Sequence, residues 1–265
     1  MVINVSHETP ISILDKSYKY NDYCYALVHL FETHKTYLQH FQKSLTLNRD
    51  VYLDNSIFEL GESFDMEKYN YWINRLKPTV YIVPDVLESS TETIKKHQQW
   101  SEKYTHDNIL SMGVVQGKSW NSLVECYQYM IQHVDMIAIS FDYSYYLTTG
   151  VGEDSLHRFS TGRQRFINHL IQEGIWDWSK PHHLLGCSLA KEFRFYVDKN
   201  IYNIRSIDTS NPIIAALHGL RYNSDQGLKH KPKTLLADMI DTIVDDDQLG
   251  DIIYNTDKFK QIIRR

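Results

Sequence analysis

Five acidic or amide side chains in this 265-residue chain stand where an apolar run ends. They are Asp54 after Val51-Tyr52-Leu53, Asp85 after Tyr81-Ile82-Val83-Pro84, and Gln116 after Met112-Gly113-Val114-Val115. Asp142 follows Ile137-Ala138-Ile139-Ser140-Phe141, and Asp208 follows Ile204-Arg205-Ser206-Ile207. A strand buried on both faces needs a near-continuous apolar run, and a carboxylate cannot stay unpaired inside that core. The five are therefore expected at the ends of parallel strands, converging on one polar pocket.

The elements that must position them can be read from periodicity. Candidate strands run over about 2–5, 23–30, 50–54, 79–84, 109–116, 135–141, 182–187 and 203–208. Between them, residues 66–76 place Met66, Tyr69, Ile73 and Leu76 on one face, and 119–133 do so with Leu123, Cys126, Tyr127, Met130 and Ile131. Residues 161–174 carry Phe166, Ile167, Leu170 and Ile171 and stop at Gly174, while 91–104 follow the capping sequence Ser90-Thr91-Glu92-Thr93. Eight strands alternating with helices predict an α/β fold, a single-domain (β/α)8 TIM barrel with a helical C-terminal part over 209–265. An open doubly wound sheet is the alternative. The stretch 142–162 reads as a long polar loop at the barrel mouth, placed to act as a lid or binding loop.

Composition narrows the class. A hydrophobic fraction of 42% and a charged fraction of 23% are those of a globular chain, and the net charge of −5 makes general basic surface impossible. A polyanion would need a local positive patch, for which Arg221, Lys229, His230, Lys231 and Lys233 are the candidates. The acidic run Asp245-Asp246-Asp247 reads as a solvated helix start. Cys24, Cys126 and Cys187 are single and scattered, against both a disulfide framework and a cysteine zinc site. No basic leader or 18-residue apolar window is present, so the expected location is the cytoplasm, with no membrane partner.

Two tempting motifs fail on spacing. Gly113-Val-Val-Gln-Gly117-Lys118-Ser119 has three residues between its glycines where a phosphate-binding P-loop needs four. His182-His183 are adjacent on a strand and must point to opposite faces, so a structural or hydrogen-bonding role is expected rather than metal ligation. Asp54-Asn55-Ser56-Ile57-Phe58-Glu59-Leu60-Gly61 and Asp208-Thr209-Ser210-Asn211-Pro212 could each be a simple Asx turn. Their joint occurrence with Val83-Pro84-Asp85-Val86 and Val115-Gln116-Gly117 gives them more weight.

In that order the motifs resemble the tRNA-guanine transglycosylase superfamily, most closely its small phage and bacterial members that insert 7-deazaguanines into DNA. The likeness covers about residues 23–215. Ala26-Leu27-Val28-His29-Leu30 resembles the family's second strand, and Asp54-Asn55-Ser56-Ile57-Phe58-Glu59 its Asp-Ser-Gly-Gly-Phe/Tyr-Gln segment. Pro84-Asp85 stands at the base-reading aspartate, and Val115-Gln116-Gly117 matches Val-Gln-Gly. His183-Leu184-Leu185-Gly186 is similar to Tyr-Leu-Met-Gly, and Ile207-Asp208-Thr209-Ser210-Asn211-Pro212 to the segment holding the nucleophile. The chain departs from the family in lacking its zinc insertion, in Ser56-Ile57 for a Gly-Gly pair, and in Ala138–Ser144 for a glycine-rich segment.

The resemblance implies exchange of guanine in DNA for a 7-deazaguanine through a covalent intermediate, with no cofactor and no metal. It makes Asp208 the nucleophile and Asp54 the general acid/base. Asp85, Gln116 and Gly117 would hold the purine edge, with Ser140, Asp142 and Gly186 also in the base site. Phe58 and Leu185 would sandwich the ring. Repulsion between the two carboxylates would raise one pKa, which suits the acid role. The target base must leave the duplex. Tyr143, Tyr145, Tyr146, Arg221, Lys229, Lys231 and Lys233 are candidates for holding the strand. The same exchange on tRNA, a glycosidase on free sugars, and a non-catalytic nucleic-acid-binding barrel are the alternatives. In a phage, the location would be the host cytoplasm.

Overall fold

The computed structural model describes residues 2–223, 227–228, 232 and 234–264. Eight strands form: β1 (Asn4–Ser6), β2 (Cys24–Leu27), β3 (Val51–Asp54), β4 (Val80–Ile82), β5 (Leu110–Val114), β6 (Met136–Ser140), β7 (His182–Leu185) and β8 (Ile204–Asp208). Every pairing is parallel, in the order β1-β8-β7-β6-β5-β4-β3-β2, which rules out the doubly wound alternative. Between β1 and β2 no ladder forms among the described residues. There the Asp22 N–H donates to the Val5 carbonyl at 2.8 Å. With helices between the strands, the chain is a nearly closed (β/α)8 barrel, and all eight strands overlap the expected windows.

The helices start where short side chains can satisfy their free N–H groups. Asp65 accepts from Glu67 and Lys68 N–H ahead of Met66–Leu76, and Ser89 accepts from Glu92 N–H ahead of Ser90–Lys103. Ser119 and Ser122 form a reciprocal cap on Trp120–His133, as do Asp245 and Gln248 on Asp246–Ile263. The acidic run at Asp245 is therefore a helix start, as its sequence suggested. No helix among the described residues is long and apolar enough to cross a membrane.

One expectation fails on the β6–β7 connection. Residues 142–162 are largely helical, with Ser144–Thr149 and then Ser155–Gln172, so the unstructured link is only 150–154. The helix expected at 161–174 starts six residues earlier because Asp154 caps it, accepting from His157 N–H at 2.9 Å. Its end is as expected, with Gly174 at φ +69.

Inward positions alternate along the strands and plug the barrel with aromatic rings. Tyr23 lies 4.5 Å from Tyr52, centroid to centroid, and His183 lies within 6.4 Å of Tyr23, 6.0 Å of Tyr52 and 6.0 Å of Tyr25. His182, one residue away, points the other way. It stacks on Trp176 at 3.8 Å and bonds the Tyr127 hydroxyl at 2.9 Å, and burial pushes its pKa down to about 3. The two histidines thus take the opposite faces that strand geometry requires.

Candidate active site

Above the aromatic plug, at the C-terminal ends of the strands, opens a cavity of about 830 Å³. Asp54, Asp85, Gln116, Asp142 and Asp208 all line it, so the five strand-end residues do converge on one space. That volume lies within the range of small-molecule sites, and this face of a barrel is where such sites are built. Eight acidic side chains line the wall: Glu8, Asp54, Glu59, Asp85, Glu88, Asp142, Asp154 and Asp208. Among the described lining residues there is no lysine, arginine or histidine. A phosphate deep inside would meet only like charge, whereas a base and its sugar would not.

Asp208, at the end of β8, is nearly buried, with 6% exposure. Its Oδ1 faces His183 Nε2 at 2.9 Å and accepts the Gly186 N–H at 3.2 Å. The other ring nitrogen, Nδ1, faces Ser206 Oγ at 2.8 Å. When that hydroxyl donates to Nδ1, the proton sits on Nε2 and is offered to Asp208. These contacts hold one carboxylate oxygen of Asp208. They exist because the β7–β8 register slips between His182 and His183, pairing His183 with Ser206 and leaving Arg205 as the extra, outward residue.

Gly186 has to be glycine. It sits at φ +64, and a Cβ there would come within 2.4 Å of the Phe141 ring. Its carbonyl and that of Leu185 accept from the buried Arg163 guanidinium at 3.1 and 3.0 Å, as does the Ile139 carbonyl at 3.2 Å. Arg163 is paired with Glu192 at 2.6 Å, and the Tyr196 hydroxyl donates to the same carboxylate at 2.6 Å. This buried pair ties the ends of β6 and β7 together under the Asp208 corner.

Asp54, at the end of β3, is held from two sides. The Tyr25 hydroxyl donates to Oδ2, and the Ser56 N–H donates to Oδ1 at 2.5 Å. Ser56 adopts φ +60, the left-handed conformation that favours glycine. Desolvation, then the Glu59 charge and to a smaller degree Asp208, raise the Asp54 pKa well above the usual carboxylate range. Tyr25 also stacks parallel to His183, with 12° between the rings, so two stacked rings connect the Asp54 and Asp208 corners.

Asp85 and Gln116 form the wall between these corners. Asp85 accepts from Asn55 Nδ2 at 2.8 Å and Gln116 Nε2 at 2.7 Å, and burial raises its pKa. Gln116 Oε1 accepts the Glu88 N–H at 2.8 Å. The amide orientations are fixed by these bonds, and each carboxylate oxygen of Asp85 keeps a further lone pair. Phe58, Leu185, Gly186 and Ser140 also line the cavity, with Phe58 46% exposed and 6.4 Å from Phe141. Ser140 Oγ donates to Asp142 at 2.7 Å.

Other expected site residues lie elsewhere. Gly117 is not in the wall: its missing side chain leaves room for Ser122 Oγ, 2.6 Å from where a Cβ would be, at the start of Trp120–His133. Tyr143 does line the cavity but is only 2% exposed, and Tyr146 is fully buried, so neither ring is open to a strand. The Tyr143 hydroxyl instead donates to the Val115 carbonyl and accepts the Ser140 N–H, bracing the ends of β5 and β6 beneath the cavity. Tyr145 is half-buried against Tyr146 and Phe166. Arg221 is exposed, but its charge is matched by Asp251 at 2.5 Å. Lys229, His230, Lys231 and Lys233 lie outside the described residues.

Sequence reasoning passes over Tyr25, His183 as a partner of Asp208, Glu59, and the Arg163–Glu192 pair. Strand alternation from Tyr23 signals that Tyr25 faces inward, but the other contacts depend on register and burial. Among the described residues, no three His, Cys, Asp or Glu side chains converge so as to hold a metal ion.

The molecule is thus a (β/α)8 barrel with an acid-lined mouth of about 830 Å³ and two separately supported carboxyls. Compared with known proteins, the chain matches no protein-family model and no curated protein. The cavity itself therefore carries the functional reading.

Proposed function

We propose that the protein exchanges guanine in a nucleic acid, DNA in the first instance, for a 7-deazaguanine through a covalent Asp208–sugar intermediate. The observation that carries the reading is the convergence of Asp54, Asp85, Gln116 and Asp208 on one cavity. The motif order at those positions adds the chemical identity.

The two carboxyls differ in the way a retaining glycosyl transfer needs. Asp208 has one oxygen engaged by His183 and Gly186 N–H, which leaves Oδ2 to attack C1′ of the target nucleoside. The C1′–N bond breaks with its electron pair on the departing base, which takes up a proton. The incoming base then attacks C1′ from its original face, gives up a proton, and releases Asp208. Proton transfer belongs to the Asp54 side, where the pKa is raised. The Asp85–Gln116–Asn55 wall is suited to reading a purine edge, since a base with the wrong donors would leave buried acceptors unpaired. An acidic interior admits base and sugar while keeping phosphates at the rim.

Incubation with labelled guanine and, in separate samples, DNA or tRNA tests the reading. Label entering DNA supports it. Label entering tRNA alone transfers the same chemistry to tRNA. No label in either, with no denaturant-resistant adduct, rejects base exchange.

A further inference from the structure

Of the eight acidic side chains on the cavity wall, the mechanism uses Asp54, Asp85 and Asp208. Glu59 lies on the short helix Ile57–Leu60, less than two turns beyond Asp54, and lines the same cavity. Its Oε2 is shielded from solvent and has no hydrogen-bond partner. Asp54 is the opposite case, since Tyr25 O–H and Ser56 N–H already bond its two oxygens. A group that must give and take a proton needs an oxygen not already committed to a hydrogen bond. On this side of the cavity, Glu59 has it.

We propose that Glu59 is the proton carrier of the site: it protonates the departing purine and deprotonates the incoming one, while Asp54 is the neighbouring carboxyl held in place by Tyr25 and Ser56. The assignment rests on the base-exchange reading and deepens it. In the first half-reaction the C1′–N bond breaks with its pair going to the purine, Asp208 forms the new bond to C1′, and the Glu59 proton passes to a purine ring nitrogen. In the second, an N–H proton of the incoming base passes to the Glu59 carboxylate as that nitrogen bonds C1′ and Asp208 departs with its electron pair. The cycle returns Glu59 protonated and needs no other reactant.

The surroundings agree with a resting proton. Burial, with a smaller push from Asp208, raises the Glu59 pKa to about 7, and Glu59 in turn raises that of Asp54. The ionisable groups around it are Asp54 from β3, Asp208 from β8, the Tyr37 phenol from Lys35–Thr46, and Glu8 after β1, which bears on the same phenol. None of these is a cation. Two buried carboxyls that act on one another do not readily ionise together.

The test combines turnover with a readout that needs none. Infrared difference spectra of the free protein between pH 5 and pH 9 should show a protonated-carboxyl band titrating near pH 7, absent in Glu59→Gln. In the labelled-guanine assay, Glu59→Gln should lose about 10²–10⁴-fold in exchange rate, and Glu59→Asp should recover part of it. Guanine affinity should stay within about threefold in both variants. A band that persists in Glu59→Gln, or exchange within threefold of wild type, overturns the assignment in favour of Asp54 alone. A wild-type protein showing the band but neither exchange nor adduct overturns the base-exchange reading itself, and this role with it.

Discussion

The two aspartates that organise the cavity are supported in different ways, and substitutions should separate them. Asp54→Asn keeps the shape and the bond from Ser56 N–H, but its amide nitrogen cannot accept from the Tyr25 hydroxyl and it has no carboxyl to hold or release a proton. Exchange should slow by about 10²–10⁴-fold with nucleic-acid affinity nearly unchanged; an unchanged rate in single-turnover assays would remove Asp54 from proton transfer. Glu59 gives a stability signature as well. Its folded pKa of about 7 lies above the ordinary glutamate value of 4.5, so the native state binds more protons between those pH values. Wild type should therefore gain stability relative to Glu59→Gln as pH falls from about 7 to about 4.5, and lose that advantage as pH rises. Urea melts of both proteins across this window measure it, and parallel curves would contradict the protonated state. At this scale, Asp54, Asp85, Gln116 and Asp208 were legible because a charged or amide side chain cannot continue a buried apolar strand and so marks its polar end. Glu59 was not, because its significance lies in the burial of one oxygen.

Secondary-structure elements carry the precision of the site. The register slip between β7 and β8 puts His183 beside Ser206 and Asp208, and the Arg163–Glu192 pair pins the backbone that presents the Gly186 N–H. Removing Arg163 while leaving Glu192 buried should cost about 3–5 kcal/mol, because an unpaired buried charge remains. Arg163→Met should show that loss in chemical denaturation; a loss below about 1 kcal/mol would mean that the pair does not fasten β6 to β7. Gly186→Ala faces both a left-handed backbone and the Phe141 ring, and should cost about 1–3 kcal/mol from crowding alone. The eight strands could be read from the sequence because buried parallel strands are apolar throughout. The 142–162 segment reads wrongly as loop because Tyr143 and Tyr146, polar-tipped in isolation, bury their rings in the fold. Gly117 looks like part of a base-binding motif, yet it serves the packing of Ser122.

For the whole molecule, the barrel brings residues as far apart in the chain as Asp54 and Asp208 to one mouth, with acid inside and the net charge at −5. On the proposed function, with no lysine, arginine or histidine among the described cavity residues, DNA binding should weaken only shallowly with salt, by about −0.9 in log–log slope per phosphate neutralised. A log–log slope of affinity against salt steeper than about −5 would contradict this. The most direct test of the central claim is the mass of the protein after incubation with guanine-containing DNA and denaturation, followed by peptide mapping. A covalent nucleoside adduct on the peptide carrying Asp208, lost in Asp208→Ala, is the predicted result. An adduct on a different residue, or one that survives Asp208→Ala, would contradict the account.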